Sequence, residues 1–264
     1  MKKKNIGKQL SYVFFRIIRR IAQLVYPKIE FEGIDKLPDG PCLLIGNHSQ
    51  INGPIIGELY VPGKHATWCA GEMMELKEVP AYAYRDFWSM KPKYSQWFYK
   101  LLSYLIAPLS VCVFNNADTI AVHRDSRIIS TFRETVNVLS EGYKVTIFPE
   151  EAEKHNNIVN QFQEGFVDIA QMYKKKCGSD LAMVPIYIAP KLRKVYVGQA
   201  VYLDASAPKA EERRRVCTEL MSRISDMAYS LPEHTVVPYL NMPKKLYPKN
   251  SPSEVNSHHE EAPC

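Results

Sequence analysis

Short apolar runs recur along this chain at 42–46, 66–70, 119–123, 144–148, 183–188 and 194–203, and stretches of helical character separate most of them. Runs this short, several of them rich in Val and Ile, read as strands. Strands that alternate with helices specify an α/β fold, a largely parallel mixed sheet flanked by helices. The helices are predicted at 7–25, 97–107, 126–140, 161–175 and 209–230. Cys42-Leu43-Leu44-Ile45-Gly46 is apolar without alternation, as a central strand covered on both faces would be. No internal repeat is visible.

At 264 residues the chain can bury one sizeable core, and 46% hydrophobic against 23% charged residues excludes a mostly disordered protein. Its charge is lopsided. Residues 1–30 carry eight Lys and Arg against Glu30, so the rest of the +6 chain balances at about −1. Basicity confined to one end argues against nucleic acid as a partner, since such a domain would spread Lys and Arg over a face. The six cysteines lie far apart with no C-x-x-C pair. That pattern fits free thiols in a reducing cytosol better than disulfides or a zinc site.

Between Leu10 and Val25 the residues Leu10, Val13, Phe14, Ile17, Ile18, Ile21, Leu24 and Val25 fall on one arc of roughly 140° when placed on a helix. Lys8, Arg16, Arg19 and Arg20 lie outside it. The arginines break the uninterrupted apolar core that a signal peptide or a spanning helix needs. Two readings stay open: a helix packed by its apolar arc on the domain, or a helix lying on anionic lipid. Trp97–Phe114 is the second apolar stretch, interrupted by Lys100 and Pro108. It reads as a buried helix followed by a strand, with an acyl-chain channel or a membrane-dipping surface as the second reading. Residues 241–264 are rich in Pro, Ser, Asn, Lys and Glu without apolar period, and are expected to be disordered.

Four blocks carry chemistry. Asn47-His48-Ser49-Gln50-Ile51-Asn52-Gly53-Pro54 follows the first strand, with Pro54 suited to open a short helix. Thr119-Ile120-Ala121-Val122-His123-Arg124 ends a strand on a guanidinium, whose planar fork grips phosphate. Val145-Thr146-Ile147-Phe148-Pro149-Glu150-Glu151-Ala152-Glu153 and Met183-Val184-Pro185-Ile186-Tyr187-Ile188 are the third and fourth. Between these two lies Phe162-Gln163-Glu164-Gly165-Phe166, and Val195–Val201 follows as a closing strand.

In this order, over about residues 31–232, the blocks resemble the glycerolipid acyltransferases, the lysophosphatidic acid acyltransferase family, with its N-H-x-x-x-x-D, G-x-I-x-V-x-R, F-P-E-G-T-R and V-P-V motifs. The resemblance implies a glycerol-phosphate acyltransferase-like fold with three parts: a basic amphipathic helix over 1–30, an acyltransferase-like α/β domain over 31–240 and a tail over 241–264. It implies His48 as general base, Glu150 as a further catalytic candidate, and Asn47, Arg124, Phe148 and Pro149 as substrate-binding ones; Asn52 (catalytic) and Lys154 (substrate-binding) join them as the residues next to altered motif positions. No metal and no bound cofactor are implied. Acyl-CoA or acyl-carrier protein would be the co-substrate, and a lysophospholipid or related glycerolipid hydroxyl the acceptor. The partners would be an anionic membrane surface and the lipid acceptor, with acyl-carrier protein as a further candidate, and the place peripheral, on the cytoplasmic face.

The sequence departs from the pattern at two places. Gly53 stands where the motif has the aspartate that orients the histidine. Glu151, Ala152 and Glu153 stand where it has Gly, Thr and a phosphate-binding Arg, which points to an acceptor without phosphate. Asn52, or a carboxylate from Glu58, Glu150 or Glu151, could orient His48 instead. The alternative to an enzyme is a catalytically impaired relative that binds lipid or regulates.

Overall fold

The computed structural model describes residues 2–89, 91–123 and 125–252. Helix α1 (Lys2–Val25) leads to β1 (Glu30–Glu32), β2 (Cys42–Gly46), α2 (Asn52–Tyr60) and β3 (His65–Ala70). Next come α3 (Val79–Ala83), continued by a π turn at Tyr84–Trp88, then α4 (Gln96–Phe114) and β4 (Thr119–Val122). The chain goes on through α5 (Ile128–Ser140), β5 (Lys144–Ile147), β6 (Glu150–Lys154), β7 (Asn160–Phe162) and α6 (Asp168–Cys177). It closes with β8 (Ala182–Ala189), β9 (Lys194–Val197) and α7 (Lys209–Tyr229).

Seven strands form one sheet in the order β1-β9-β8-β2-β5-β3-β4. The run from β8 to β4 is parallel throughout, and β9 pairs antiparallel with β8, carrying β1 with it at that edge. This is the α/β architecture expected, a mostly parallel mixed sheet with helices on both faces. β2 shows why its run does not alternate. Leu43 and Ile45 enter one core with Val145, Ile147, Leu139, Ile169 and Leu220, while Cys42 and Leu44 enter the other with Ile56, Val184 and Ile186. Each such leucine or isoleucine contributes about 1.5–3 kcal/mol on burial.

Several boundaries differ from the sequence reading. Trp97–Phe114 is one helix, not a buried helix followed by a strand: Pro108 sits inside α4 without ending it. The fully buried side chains of α4, Ser103, Ala107 and Ser110, are small, with Ile106, Val111 and Phe114 partly buried beside them, whereas Trp97, Leu101, Tyr104 and Leu105 are exposed. Residues 160–162 pair with β6 as a hairpin, so α6 starts at Asp168 rather than at 161. β9 stops at Val197, with only an isolated bridge from Val201 to Met183 beyond it. The region from Asn241 is not featureless up to residue 252. Asn250 is 5% exposed, and its amide donates to the carbonyls of Ala228 and Leu231 at 2.8 and 3.1 Å. The remaining tail, 253–264, lies outside the described residues.

The N-terminal helix packs by the face opposite to its apolar arc. Phe15 is 6% exposed, and Ser11, Arg19 and Tyr26, on the same helical face, bond to the domain. Asn116 donates to Ser11 Oγ at 2.9 Å, and Arg19 Nε pairs with Glu58 of α2 at 2.9 Å. Leu10, Val13, Phe14, Ile17, Ile21, Leu24 and Val25 all face solvent, Leu24 at 85%. α1 also touches α4, whose Trp97, Leu101, Tyr104 and Leu105 are exposed as well.

Candidate functional site

β2 and β5 are parallel neighbours, with Ile45 opposite Ile147, so the segments that follow them leave the sheet at the same edge. That is the edge where α/β sheets place their ligands. The first residue past β2 is Asn47. Its Nδ2 donates to Ile188 O at 3.0 Å and its Oδ1 accepts from Ile188 N at 2.7 Å. A side chain has replaced a strand residue and prolongs the β2–β8 ladder by one rung. Asn47 is buried, and both ends of its amide are bonded to the Ile188 backbone.

The chain then turns through Ser49 at φ 50° and Gln50 at φ 53°, left-handed conformations that cost a non-glycine residue roughly 1 kcal/mol or more. Three outside elements hold the turn. Asn52 donates from Nδ2 to Ser49 O at 2.9 Å and accepts at Oδ1 from Tyr26 Oη at 2.7 Å. Gln50 donates to Leu240 O at 3.0 Å and accepts from Tyr247 Oη at 3.0 Å. Glu150 accepts the backbone N–H of His48 at Oε1, 2.6 Å away, and that of Asn160 at Oε2, 2.9 Å away. Two motif residues 102 positions apart are thereby joined.

Neither Asn52 nor any carboxylate named in the sequence orients the His48 ring. Asn52 bonds Tyr26 and Ser49, Glu58 pairs with Arg19 through Oε1 and leaves Oε2 without a partner, and both oxygens of Glu150 accept from backbone. Among the described residues, His48 Nδ1 is buried with no partner at hydrogen-bonding geometry, and so is Ser49 Oγ. Phe148 and Tyr239 meet the ring edge to face, with centroids 5.4 and 5.6 Å away. Burial pushes the imidazole down to about 4, the Gln50 backbone pulling it only part of the way back. Burial likewise pushes the Glu150 carboxyl up to about 7 against the two N–H groups that favour its charged form.

Gly53 explains why the motif position carries no side chain. A Cβ there would lie 2.3 Å from His48 O and 3.0 Å from the Phe148 ring. The Gly53 N–H donates to that same carbonyl at 3.1 Å. The turn is therefore wound more tightly than any side chain at 53 permits.

Of the other expected residues, Phe148 lies at the ring of His48, and Pro149 uses its carbonyl to accept from Gln163 N at 2.9 Å. Lys154 is at the far end of β6, on the order of 13 Å along the strand from Glu150. Arg124 lies outside the described residues. Beside the strand end that leads to it is an open cleft of about 540 Å³, lined by charged residues that include Glu72, Lys77, Glu78, Arg85 and Arg127. No cluster of His, Cys, Asp and Glu that could hold a metal occurs among the described residues.

Sequence reasoning missed Tyr26, Ser49, Asn160 and Tyr239. Tyr239 sits on a segment anchored at both ends, by His234 Nε2 at 2.7 Å from Tyr187 Oη and by Asn250 Oδ1 accepting from His234 N at 2.7 Å. Nothing periodic marks that segment in the sequence.

Among solved structures, the chain is similar to the 1-acyl-sn-glycerophosphate (LPA) acyltransferase PlsC from Thermotoga maritima. The two share 16% sequence identity at a TM-score of 0.47, over 88% of this chain and 86% of that one. No family model matches the chain, and no curated protein matches it in sequence.

Proposed function

We propose that this chain is an acyltransferase working at a membrane surface, moving a fatty acyl group from acyl-CoA or acyl-carrier protein to a lipid acceptor. The bond between Glu150 and the His48 backbone carries this reading. It joins the two motif residues that the resemblance makes catalytic, at the carboxyl ends of β2 and β5, beside two half-buried aromatic rings. Lysophospholipids and related glycerolipid alcohols are the acceptors that the resemblance supplies. Peripheral attachment to the cytoplasmic face fits the outward arc of α1 and the apolar side of α4, with Lys8, Arg16 and Arg20 at hand for anionic headgroups. By length and composition, Lys93–Phe114 also suffices to cross a bilayer.

A second reading has one observation of its own: the unpartnered His48 Nδ1 suits a relative that binds lipid without transferring acyl groups. Both are tested by mass-spectrometric acyl transfer with the full chain on vesicles, wild type against His48→Ala. Each acyl donor is offered with a mixed acceptor panel. A product that vanishes in the variant supports the enzyme. Absence of product from a folded, vesicle-bound protein supports the lipid binder.

A further inference from the structure

Taking the acyltransferase reading as given, we propose that the acceptor nucleophile at His48 is a primary amine rather than a hydroxyl, so that the product is an amide. The shape of the turn carries the argument. An alcohol attacks a thioester at a useful rate only while a base takes its proton, and the base must then bear a positive charge. A carboxylate beside the imidazole is what makes that charge tolerable, and loss of such a partner in a comparable site costs about 10⁴ in rate. Here the partner is excluded by geometry, since a Cβ at Gly53 would sit 2.3 Å from His48 O. Both oxygens of the buried Glu150 accept from backbone N–H groups, and Glu58 pairs with Arg19 through Oε1, its Oε2 having no partner, the His48 ring included.

A neutral amine needs far less. Its own lone pair attacks the thioester carbonyl carbon and forms the C–N bond. The proton that must then leave sits on a positively charged nitrogen, acidic enough for a weak base such as an unaided imidazole. Collapse of the tetrahedral intermediate breaks the C–S bond, and the proton that His48 takes from nitrogen goes to the departing thiolate. Thioester and amine give amide and thiol, with no other reactant.

An amine that arrives as an ammonium ion gives one proton to water before it attacks, and the surroundings suit such a cationic acceptor on its way in. Phe148 and Tyr239 stand beside His48, and aromatic rings attract an ammonium group. Glu151 and Glu153 follow Glu150 on β6, so the arginine that would call for a phosphate-bearing acceptor is missing there. Burial of the imidazole, which holds it neutral, acts in the same direction.

The test offers the full chain on anionic vesicles a long-chain acyl-CoA and either of two acceptors. One is a long-chain primary amine without hydroxyl, the other a monoacylglycerol without amine. Products are sorted by mild alkali, which cleaves esters and spares amides, and the rate with heat-denatured protein is subtracted. The expected result is amide formation exceeding ester formation by roughly tenfold or more, and falling about tenfold or more in both His48→Ala and His48→Gln. Using both variants separates loss of the base from loss of the fold. Ester as the main product would overturn the amine assignment and leave the acyltransferase standing. An amide rate untouched by both variants would overturn it too. No transfer to either acceptor, nor to lysophosphatidic acid, would overturn both readings.

Discussion

Tyr26, the residue that follows α1, donates its hydroxyl to Asn52 Oδ1 at 2.7 Å, and Asn52 donates in turn to the carbonyl of Ser49 at 2.9 Å. The end of the N-terminal helix is thus one side chain away from the strained residues next to His48.

Tyr26→Phe removes one hydrogen bond and leaves the ring. A loss of about 1 kcal/mol is expected, which lowers Tm by roughly 2–4 °C. Because Asn52 does not face the imidazole, Asn52→Ala should slow any transfer without moving its pH profile. Calorimetry reads the first effect and a pH-rate series the second. A shifted profile would mean that Asn52 acts on the ring after all.

Restoring the motif aspartate should fail. In Gly53→Asp the new Cβ must displace His48 O, and a destabilisation of about 1–3 kcal/mol or more is expected, with no gain in transfer. Urea unfolding and the acyl-transfer assay measure the two halves. A variant that is both stable and faster would show that the turn opens easily.

Stability against pH should reveal two opposing groups. Glu150 is held at about 7 when folded against 4.5 for a free glutamate, so it prefers its proton in the fold and its contribution is lost as pH rises through 4.5 to 7. His48 is held at about 4 against 6.5, so its contribution is present above 6.5 and lost as pH falls towards 4. Each shift corresponds to about 3 kcal/mol, and in the wild type they offset between about pH 4.5 and 6.5. His48→Asn should make stability fall with rising pH over that window, and Glu150→Gln should make it rise. Urea unfolding at half-unit pH steps gives both slopes, and parallel slopes in the two variants would refute the assignment.

Charge placed on the outward arc of α1 should act on lipid and not on the fold. Ile17→Glu and Phe14→Glu change exposed side chains, so Tm should stay within about 1 °C of wild type. Sedimentation with anionic vesicles should drop several-fold, and more so at raised salt. Unchanged sedimentation would move the lipid contact elsewhere.

What the sequence disclosed follows from how local each signal is. β2 occupies 42–46 as read, because a run this short and apolar throughout suits a strand covered on both faces better than a helix. The second half of α4 is hard to read because Pro108 resembles a stop and apolar residues such as Leu105 and Leu109 face outward. His48 and Glu150 were visible through the motif resemblance. Their bond was not, since it depends on the pairing of β2 with β5. Asn47 was visible as a motif residue, but its service as a ladder rung depends on Ile188, 141 positions away.

These separations also set an order of events during synthesis. The apolar arc of α1 is complete once Val25 has been made, and it draws on no later residue of the chain. The turn around His48 cannot close until Ile188 has emerged to meet Asn47, and its aromatic wall waits for Tyr239. Whatever surface the helix prefers is therefore within its reach before the turn around His48 has closed.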